Sequence, residues 1–475
     1  MTKEKLKVLL INPPYLFDEN GSYPADNNVW KPLGILSLAA VLKKENIEVK
    51  VIDMMPREMN LKEVLAFIDS KKINFVGITG TTPQIRGIVQ LGKAIKARFG
   101  SKITLGLGGP HASSDEGFLK AFPFFDFLFI GEGELTLPKL IKNLSSPRKS
   151  LKGVIVGETP KNLDQLPWPD YHLLPDDDYG GGPYGSAFVT IHTTRGCPFR
   201  CIYCSSPVEQ KSTVRYRSPS SVIDEVEQRV LEGAKFIIFT DDTFTLDRKR
   251  TEAICEEILR RKLSVKWNCE TRASLVDRSL LALMKKAGCG EIFFGVESGS
   301  ERIRNEIINK RVTNKQLFKA FSYCHDLDIT TNAFLMAGFP TETKKELKET
   351  ADFIFKAKPD IVGVHLTGIL PGAPLYAQAL KEGKIRRKTW YDYAIGVVKD
   401  QPIYVPDGLT LTDLEEFQKN LYRQFYFRPN WLIKRFARSL GSFPQLKTDF
   451  QTAWQLLTRG KGKARSYKEE DYLRE

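Results

Sequence analysis

The chain has 475 residues, more than one compact core accommodates, so two to four domains are expected at about 100–200 residues each. Apolar residues make up 42% and charged residues 27%, which excludes wholesale disorder. No run approaches the roughly 18 uninterrupted apolar residues of a transmembrane helix. The net charge of +14 permits an anionic partner and selects none. Seven cysteines, an odd number, favour reduced thiols or metal ligation over a disulfide scaffold.

The opening MTKEKLKVLLINPP reads as a first strand and not as a signal peptide, because Asn-Pro-Pro follows the apolar run. Strand patterns then alternate with helical ones. Lys7–Ile11, Glu48–Asp53, Phe75–Thr79, Ile103–Leu107 and Phe127–Ile130 read as strands. Leu33–Lys44 and Ile85–Phe99 carry helical apolar spacing. Such alternation predicts a Rossmann-like, doubly wound parallel sheet over residues 1–145. Ligands of such sheets sit beyond the strand carboxyl ends. The segments there are Asn12–Tyr15, Thr79–Thr82, Gly108–Ser113 and Gly131–Glu134.

Residues 146–186 are dense in Pro, Gly and Asp and read as a linker pinned by its aromatics. A second alternating series starts at Phe188. Its strands are Phe188–His192, Phe236–Thr240, Val265–Cys269, Glu291–Val296, Thr330–Met336 and Ile361–Leu366. Six β/α units over residues 187–383 predict a partial parallel barrel with its chemistry at the strand carboxyl ends. Residues 384–475 read as a helical, aromatic and basic region ending in a charged tail. Arg423, Arg428, Lys434, Arg435 and Arg438 interleave with aromatics there. A helical cap on the barrel, a membrane-surface helix and an RNA contact are the three readings of that pattern.

The strongest local signal is RGCPFRCIYC, directly after the first strand of the second series. Cys197, Cys201 and Cys204 form a C-x3-C-x2-C tripod. Three thiolates on one loop can ligate three corners of an iron–sulfur cube and leave one iron free. A structural zinc site would want a fourth ligand, and none stands at matching spacing. The other cysteines, Cys255, Cys269, Cys289 and Cys324, read as small buried apolar residues.

This loop, with Tyr203 before its last cysteine, resembles the signature of the radical SAM enzymes. The resemblance runs on through FTDDTF, ETR, GVESGS, GFPTET and LPGAPLY, in order, at successive strand ends. It implies a [4Fe-4S] cluster on Cys197, Cys201 and Cys204, with S-adenosyl-L-methionine (SAM) on its free iron. Asp241 and Asp242 become candidates for the methionyl amine, and Arg272 for the carboxylate. Glu297 and Ser298 stand in the ribose-binding segment.

Residues 1–145 resemble the cobalamin (B12)-binding domain that precedes many radical SAM domains, through PLGILSLAAVLKK, ITGTTPQI, GLGGPHAS and FIGEGE. The resemblance makes Thr79, Thr81, Gly108, Gly109 and His111 the candidate cobalamin contacts. The Asp-x-His-x-x-Gly loop that supplies a cobalt ligand elsewhere is missing; NPPYLFDENG stands in its place. His111 is read as a partner of backbone or of the nucleotide tail rather than as a replacement ligand.

Together the two resemblances imply reductive SAM cleavage to a 5′-deoxyadenosyl radical and methyl transfer to an unactivated carbon of a small-molecule or lipid-like substrate. A reducing partner such as flavodoxin or ferredoxin and a cytoplasmic location, free or peripheral to a membrane, go with that chemistry. Three alternatives stand beside it. They are a B12-dependent cyclase or rearrangement enzyme, an RNA methylthiotransferase, and a non-enzymatic cobalamin- or redox-sensing module. The methylthiotransferases carry an additional N-terminal cysteine triad, and residues 1–190 here hold no cysteine.

Overall fold

The computed structural model describes residues 6–23, 29–56, 59–144, 152–176, 179, 187–206, 213–385 and 403–428. Lys434, Arg435 and Arg438, the RNA and membrane readings that rest on them, and the charged tail lie outside the described residues.

The first sheet contains β1 (Lys7–Asn12), β2 (Glu48–Asp53), β3 (Phe75–Thr79), β4 (Thr104–Gly108), β5 (Phe127–Ile130) and β6 (Gly153–Val156), in the order β2-β1-β3-β4-β5-β6. All its pairings are parallel. A parallel sheet covered on both faces needs strands that are apolar throughout. β1 meets that demand: Leu9 and Ile11 enter one core, Val8 and Leu10 the other. The helices are α1 (Leu33–Lys44), α2 (Leu61–Ser70), α3 (Ile85–Phe99), the short α4 (Pro110–Ser114) and α5 (Phe118–Ala121), and α6 (Leu137–Leu144). The order reverses between β1 and β3, so the loops after those two strands flank the crevice where such sheets bind ligands.

β6 falls inside the stretch read as linker. Only four residues long, it exposes Val154 and Val156, so neither length nor alternation distinguishes it from loop. Two of the linker aromatics are pinned. Tyr171 and Tyr179 pack with Leu33 and Leu36 of α1. Tyr171 Oη donates to the Thr190 carbonyl at 2.6 Å and Tyr179 Oη to Asp53 at 2.7 Å.

The second sheet contains β7 (Phe188–Ile191), then β10 (Phe236–Phe239), β11 (Lys266–Thr271), β12 (Cys289–Glu297), β13 (Thr330–Ala337) and β14 (Ile361–Leu366). These six run side by side in chain order, all parallel, as a partial barrel. Between β7 and β10 lies a two-stranded antiparallel ribbon, β8 (Thr194–Arg195) with β9 (Arg215–Tyr216). The helices α7 (Pro219–Leu231), α8 (Arg248–Arg260), α9 (Arg278–Lys286), α10 (Asn314–Asp326) and α11 (Lys344–Ala357) follow the barrel strands. Trp267, Phe239 and Phe244 pack ring against ring at its centre. α12 (Pro374–Lys381) and α13 (Leu411–Tyr426) complete the described chain.

An open barrel leaves an edge strand with unpaired backbone groups. α13 covers that edge at β14 with side chains. Tyr422 Oη accepts from Val364 N at 2.8 Å and donates to Val364 O at 3.1 Å. Tyr426 Oη does the same at Val362, at 3.0 and 2.7 Å. Spaced four residues apart on one helical face, the two hydroxyls meet alternate residues of the strand. This part of the C-terminal region is therefore the expected cap. No helix among the described residues is long and apolar enough to cross a membrane.

Replacing both tyrosines by phenylalanine should strip four hydrogen bonds from the β14 edge. A loss of about 2–4 kcal/mol in urea unfolding is expected; an unchanged midpoint would show that the edge does not need them.

Candidate functional site

The cysteine loop follows the β8 strand and has no regular structure to fix it. Its neighbours do so. Ile202 N donates to the Ile308 carbonyl at 3.1 Å, and Leu375 N, at the start of α12, donates to the Ile202 carbonyl at 2.8 Å. Ile308 ends a π-helical turn, Ile303–Ile307, a form that recurs at functional sites. Cys201, Ile303, Ile308 and Phe339 share one apolar cluster, with Cys204 packed against it. Burial raises the Cys197 thiol above its usual range and pushes Cys204 up to about 12.

All three thiols are free, and three thiolates on one loop are the donor set that ligates three irons of a cube and leaves the fourth open. Beside them lies Arg272, 6% exposed. Its guanidinium stacks on the Phe199 ring at 3.6 Å, its Nη1 is 3.9 Å from Cys201 Sγ, and its Nη2 donates to the Lys310 carbonyl. Arg272 Nε is buried without a partner among the described residues. An unused donor beside a thiol tripod suits an anionic group, as SAM's carboxylate is.

The other expected residues separate into two sets. Asp242 is exposed and accepts from Ser206 Oγ of the cysteine loop at 2.6 Å. Asp241 is buried, and its carboxylate accepts from Thr193 N at 2.7 Å, Thr194 N at 2.9 Å and the Thr193 hydroxyl. It clamps the strand end, so Asp242 is the member of the pair that faces the loop. Glu297 accepts from Tyr203 Oη at 2.8 Å and Lys310 Nζ at 2.6 Å. Gly295 permits this knot, because a Cβ there would sit 2.4 Å from Glu297 Oε1 and 2.5 Å from Lys310 Nζ. Glu297 itself has φ +60°, and fully buried Arg304 holds that turn by donating to the Val296, Ser298 and Val312 carbonyls. Ser298 faces inward, with Oγ 3.1 Å from Thr350 Oγ1. It packs the turn against α11 rather than lining the mouth.

Sequence reasoning missed Lys310 and Glu270. No motif marks Lys310, which a buried carboxylate alone explains. Glu270 stood in the ETR phrase but was passed over for Arg272. It lies near Asp242 and Glu297, and burial together with those two carboxylates raises its carboxyl to about 7. It remains accessible to solvent, so protein crowds it without sealing it.

In the first domain the crevice rim is backbone. Gly108 and Gly109 are half-buried, and Thr81 is exposed. Gly109 has φ +90°, and a Cβ there would strike Thr79 Oγ1 at 2.5 Å, so the loop can approach β3 only as glycine. A bare backbone edge fits a bulky ligand such as cobalamin. His111 is not on that edge. It is 0% exposed, with Nδ1 3.2 Å from Thr82 Oγ1, Nε2 3.5 Å from Asp115 and its ring edge-on to Phe118. Burial lowers its pKa to about 4, so it is neutral at pH 7. The sequence leads to the expectation that His111 partners backbone or the nucleotide tail; in this structure its ring is instead buried between Thr82, Asp115 and Phe118.

The chain matches the family model of the radical SAM superfamily over residues 191–354 and that of the B12 binding domain over residues 26–141. An uncharacterized methyltransferase of Pyrococcus horikoshii, PH0819, is 30% identical over 445 residues, covering 90% of this chain and 94% of its own. The anaerobic magnesium-protoporphyrin IX monomethyl ester cyclase of Cereibacter sphaeroides is 27% identical over 95% of this chain and 74% of its own. Among solved structures, the radical SAM methyltransferase TsrM from Kitasatospora setae, with cobalamin and a [4Fe-4S] cluster bound, superposes with a TM-score of 0.65. It is 18% identical and the match covers 90% of this chain and 86% of that one, which establishes a shared fold.

Two substitutions test the geometry. Lys310→Met leaves the buried Glu297 carboxylate without its cation, and should cost about 3–5 kcal/mol. Adding Glu297→Gln should restore more than half of that; no recovery would mean the pair is not coupled. Glu342, 0% exposed, accepts from Gly338 N at 2.7 Å and Phe339 N at 3.1 Å, yet burial raises its carboxyl to about 7. A raised carboxyl favours the fold below pH about 4.5, and that contribution is lost as the pH rises to about 7. Glu342→Gln should therefore match the parent at pH 4.5 and exceed it by on the order of 2 kcal/mol at pH 8. Equal stability at both pH values would contradict this.

Proposed function

Because the chain belongs to the radical SAM superfamily and carries its B12-binding domain, we propose that it is a cobalamin-dependent methyltransferase acting on carbon. The carrying observation is the pairing of two sites: a three-thiol loop at one parallel sheet's carboxyl edge, and a backbone-lined crevice at another's. When bound, the cluster with SAM supplies one-electron cleavage chemistry and cobalamin supplies a transferable methyl group.

The chain's own residues bind, orient and shield. Cys197, Cys201 and Cys204 hold the cluster. Arg272 receives the SAM carboxylate on its unused Nε–H, and Asp242 the amine. The Tyr203–Glu297–Lys310 knot ties the cysteine loop to the end of β12. Glu270, with its carboxyl at about 7, can hold or release a proton at the mouth under neutral conditions. Thr79, Thr81, Gly108 and Gly109 offer the crevice edge to cobalamin. A small organic molecule is the substrate class that suits a barrel mouth, with electrons from a small reducing protein.

The cyclase likeness supports a second reading, in which the same parts serve ring closure. Product analysis separates the two. The anaerobically reconstituted enzyme, fed extracted metabolites and dithionite, should yield methylated product and S-adenosylhomocysteine in equal amounts. Deoxyadenosine with a cyclised, unmethylated product would replace methyl transfer by cyclisation. Cys201→Ala should abolish SAM cleavage and cluster uptake while cobalamin affinity persists. Cleavage surviving in that variant would overturn the assignment of the tripod.

A further inference from the structure

The ribbon β8–β9 ends two residues before Cys197 and sets Arg195 directly opposite Arg215. Two guanidinium groups side by side repel each other unless anions separate them. Here the anions come from the other domain. Arg195 donates to Glu132 Oε2 at 2.7 Å and to Glu134 Oε1 at 2.6 Å. Arg215 donates to both oxygens of Glu132, at 3.0 Å for Oε2, and to the Pro160 carbonyl at 2.9 Å. The four side chains are 21%, 9%, 13% and 6% exposed for Arg195, Arg215, Glu132 and Glu134. At that burial the pairs escape the solvent screening that weakens surface bridges, and losing one partner strands the others.

Glu132 and Glu134 stand on the loop after β5, which is tied to the crevice rim. Gly131 N donates to Ser113 Oγ at 2.9 Å, and Ser113 N donates to the Gly109 carbonyl at 3.2 Å. A continuous run of hydrogen bonds and ion pairs thus joins Gly109, on the cobalamin side, to the residues just before Cys197.

We propose that Glu132, Glu134, Arg195 and Arg215 are positioning residues that lock the cobalamin-binding domain onto the cysteine loop in one fixed register. The proposal rests on the reading that both cofactors bind. Transfer between two cofactors demands a set separation, since small misplacements of reacting groups are costly. Each of the four acts through the loop it anchors.

The test uses the full chain with Arg195→Met and the conservative Arg195→Lys, and needs no substrate. In the cofactor-free protein, amides of residues 131–134 and 194–196 should exchange with deuterium at least roughly tenfold faster in Arg195→Met, while β3 and β11 amides stay protected. In anaerobically reconstituted protein loaded with cob(II)alamin and a reduced cluster, the parent should show faster spin relaxation of the cobalt signal caused by the nearby cluster. Arg195→Met should lose that effect while keeping iron content, cobalamin affinity and the dithionite-driven rate of SAM cleavage. Arg195→Lys, which retains charge but cannot span two carboxylates, should fall between. Should Arg195→Met not fold, Glu134→Gln is held to the same criteria. Unchanged exchange in both loops, or undiminished relaxation in the variant, overturns the proposal. Failure of the parent to take up cluster or cobalamin would instead refute the proposed function, and the exchange measurement would still decide whether the bridge locks the domains.

Discussion

A loop that must hold three sulfurs in a fixed tripod cannot rely on its own backbone, and the barrel is organised around supplying that rigidity. The π-helical turn and the start of α12 pin Ile202 from both sides, at 3.1 and 2.8 Å. Tyr203 is tied to the left-handed end of β12 through Glu297, and Ser206 to the end of β10 through Asp242. Arg304, whose guanidinium is lowered to about 10 by burial, holds the β12 turn that carries Glu297. A buried arginine with no carboxylate bonded to it is expensive, and Glu301 and Glu297 offset only part of that cost. Its donors are spent on carbonyls and on Asn314, which makes the turn rigid at the point where the cysteine loop leans on it.

The two sheets solve related problems differently. In the first, the crevice arises from topology: the strand order reverses at β1 and β3, and glycine backbone forms the rim. In the second, the strands run in simple order, and the mouth is defined by side chains at successive strand ends. The open edge at β14 is closed by tyrosine hydroxyls and not by a further strand. The domains meet through buried charge between loops and through the linker tyrosines packed on α1, and the charged contact is one that water barely screens.

Much of this was legible in the sequence where burial dictates it. Many strands of both parallel sheets are short apolar runs and others alternate, and Glu48–Asp53, Phe75–Thr79, Phe127–Ile130 and Ile361–Leu366 have the bounds that their patterning predicts. Polar placement was less legible. Asp241 and Asp242 are adjacent and chemically identical, yet one clamps a strand end and the other faces the loop; alternation along an irregular turn does not say which. His111 beside Gly109 and Pro110 looks like a rim residue, but α4 turns its ring inward onto Phe118. Lys310 and Arg195 pair with residues 13 and roughly 60 positions away, and pairing across such separations leaves no local signature.

We propose that three sulfurs hold an iron–sulfur cube whose remaining iron receives SAM, with Arg272 and Asp242 at its carboxylate and amine. Electron–nuclear double resonance on the reduced, reconstituted chain, using SAM isotopically labelled at its amino nitrogen and carboxylate oxygens, tests that most directly. Hyperfine coupling from both labelled groups is expected, diminished when Arg272 is replaced by methionine. A fully loaded cluster showing coupling to neither group would contradict it.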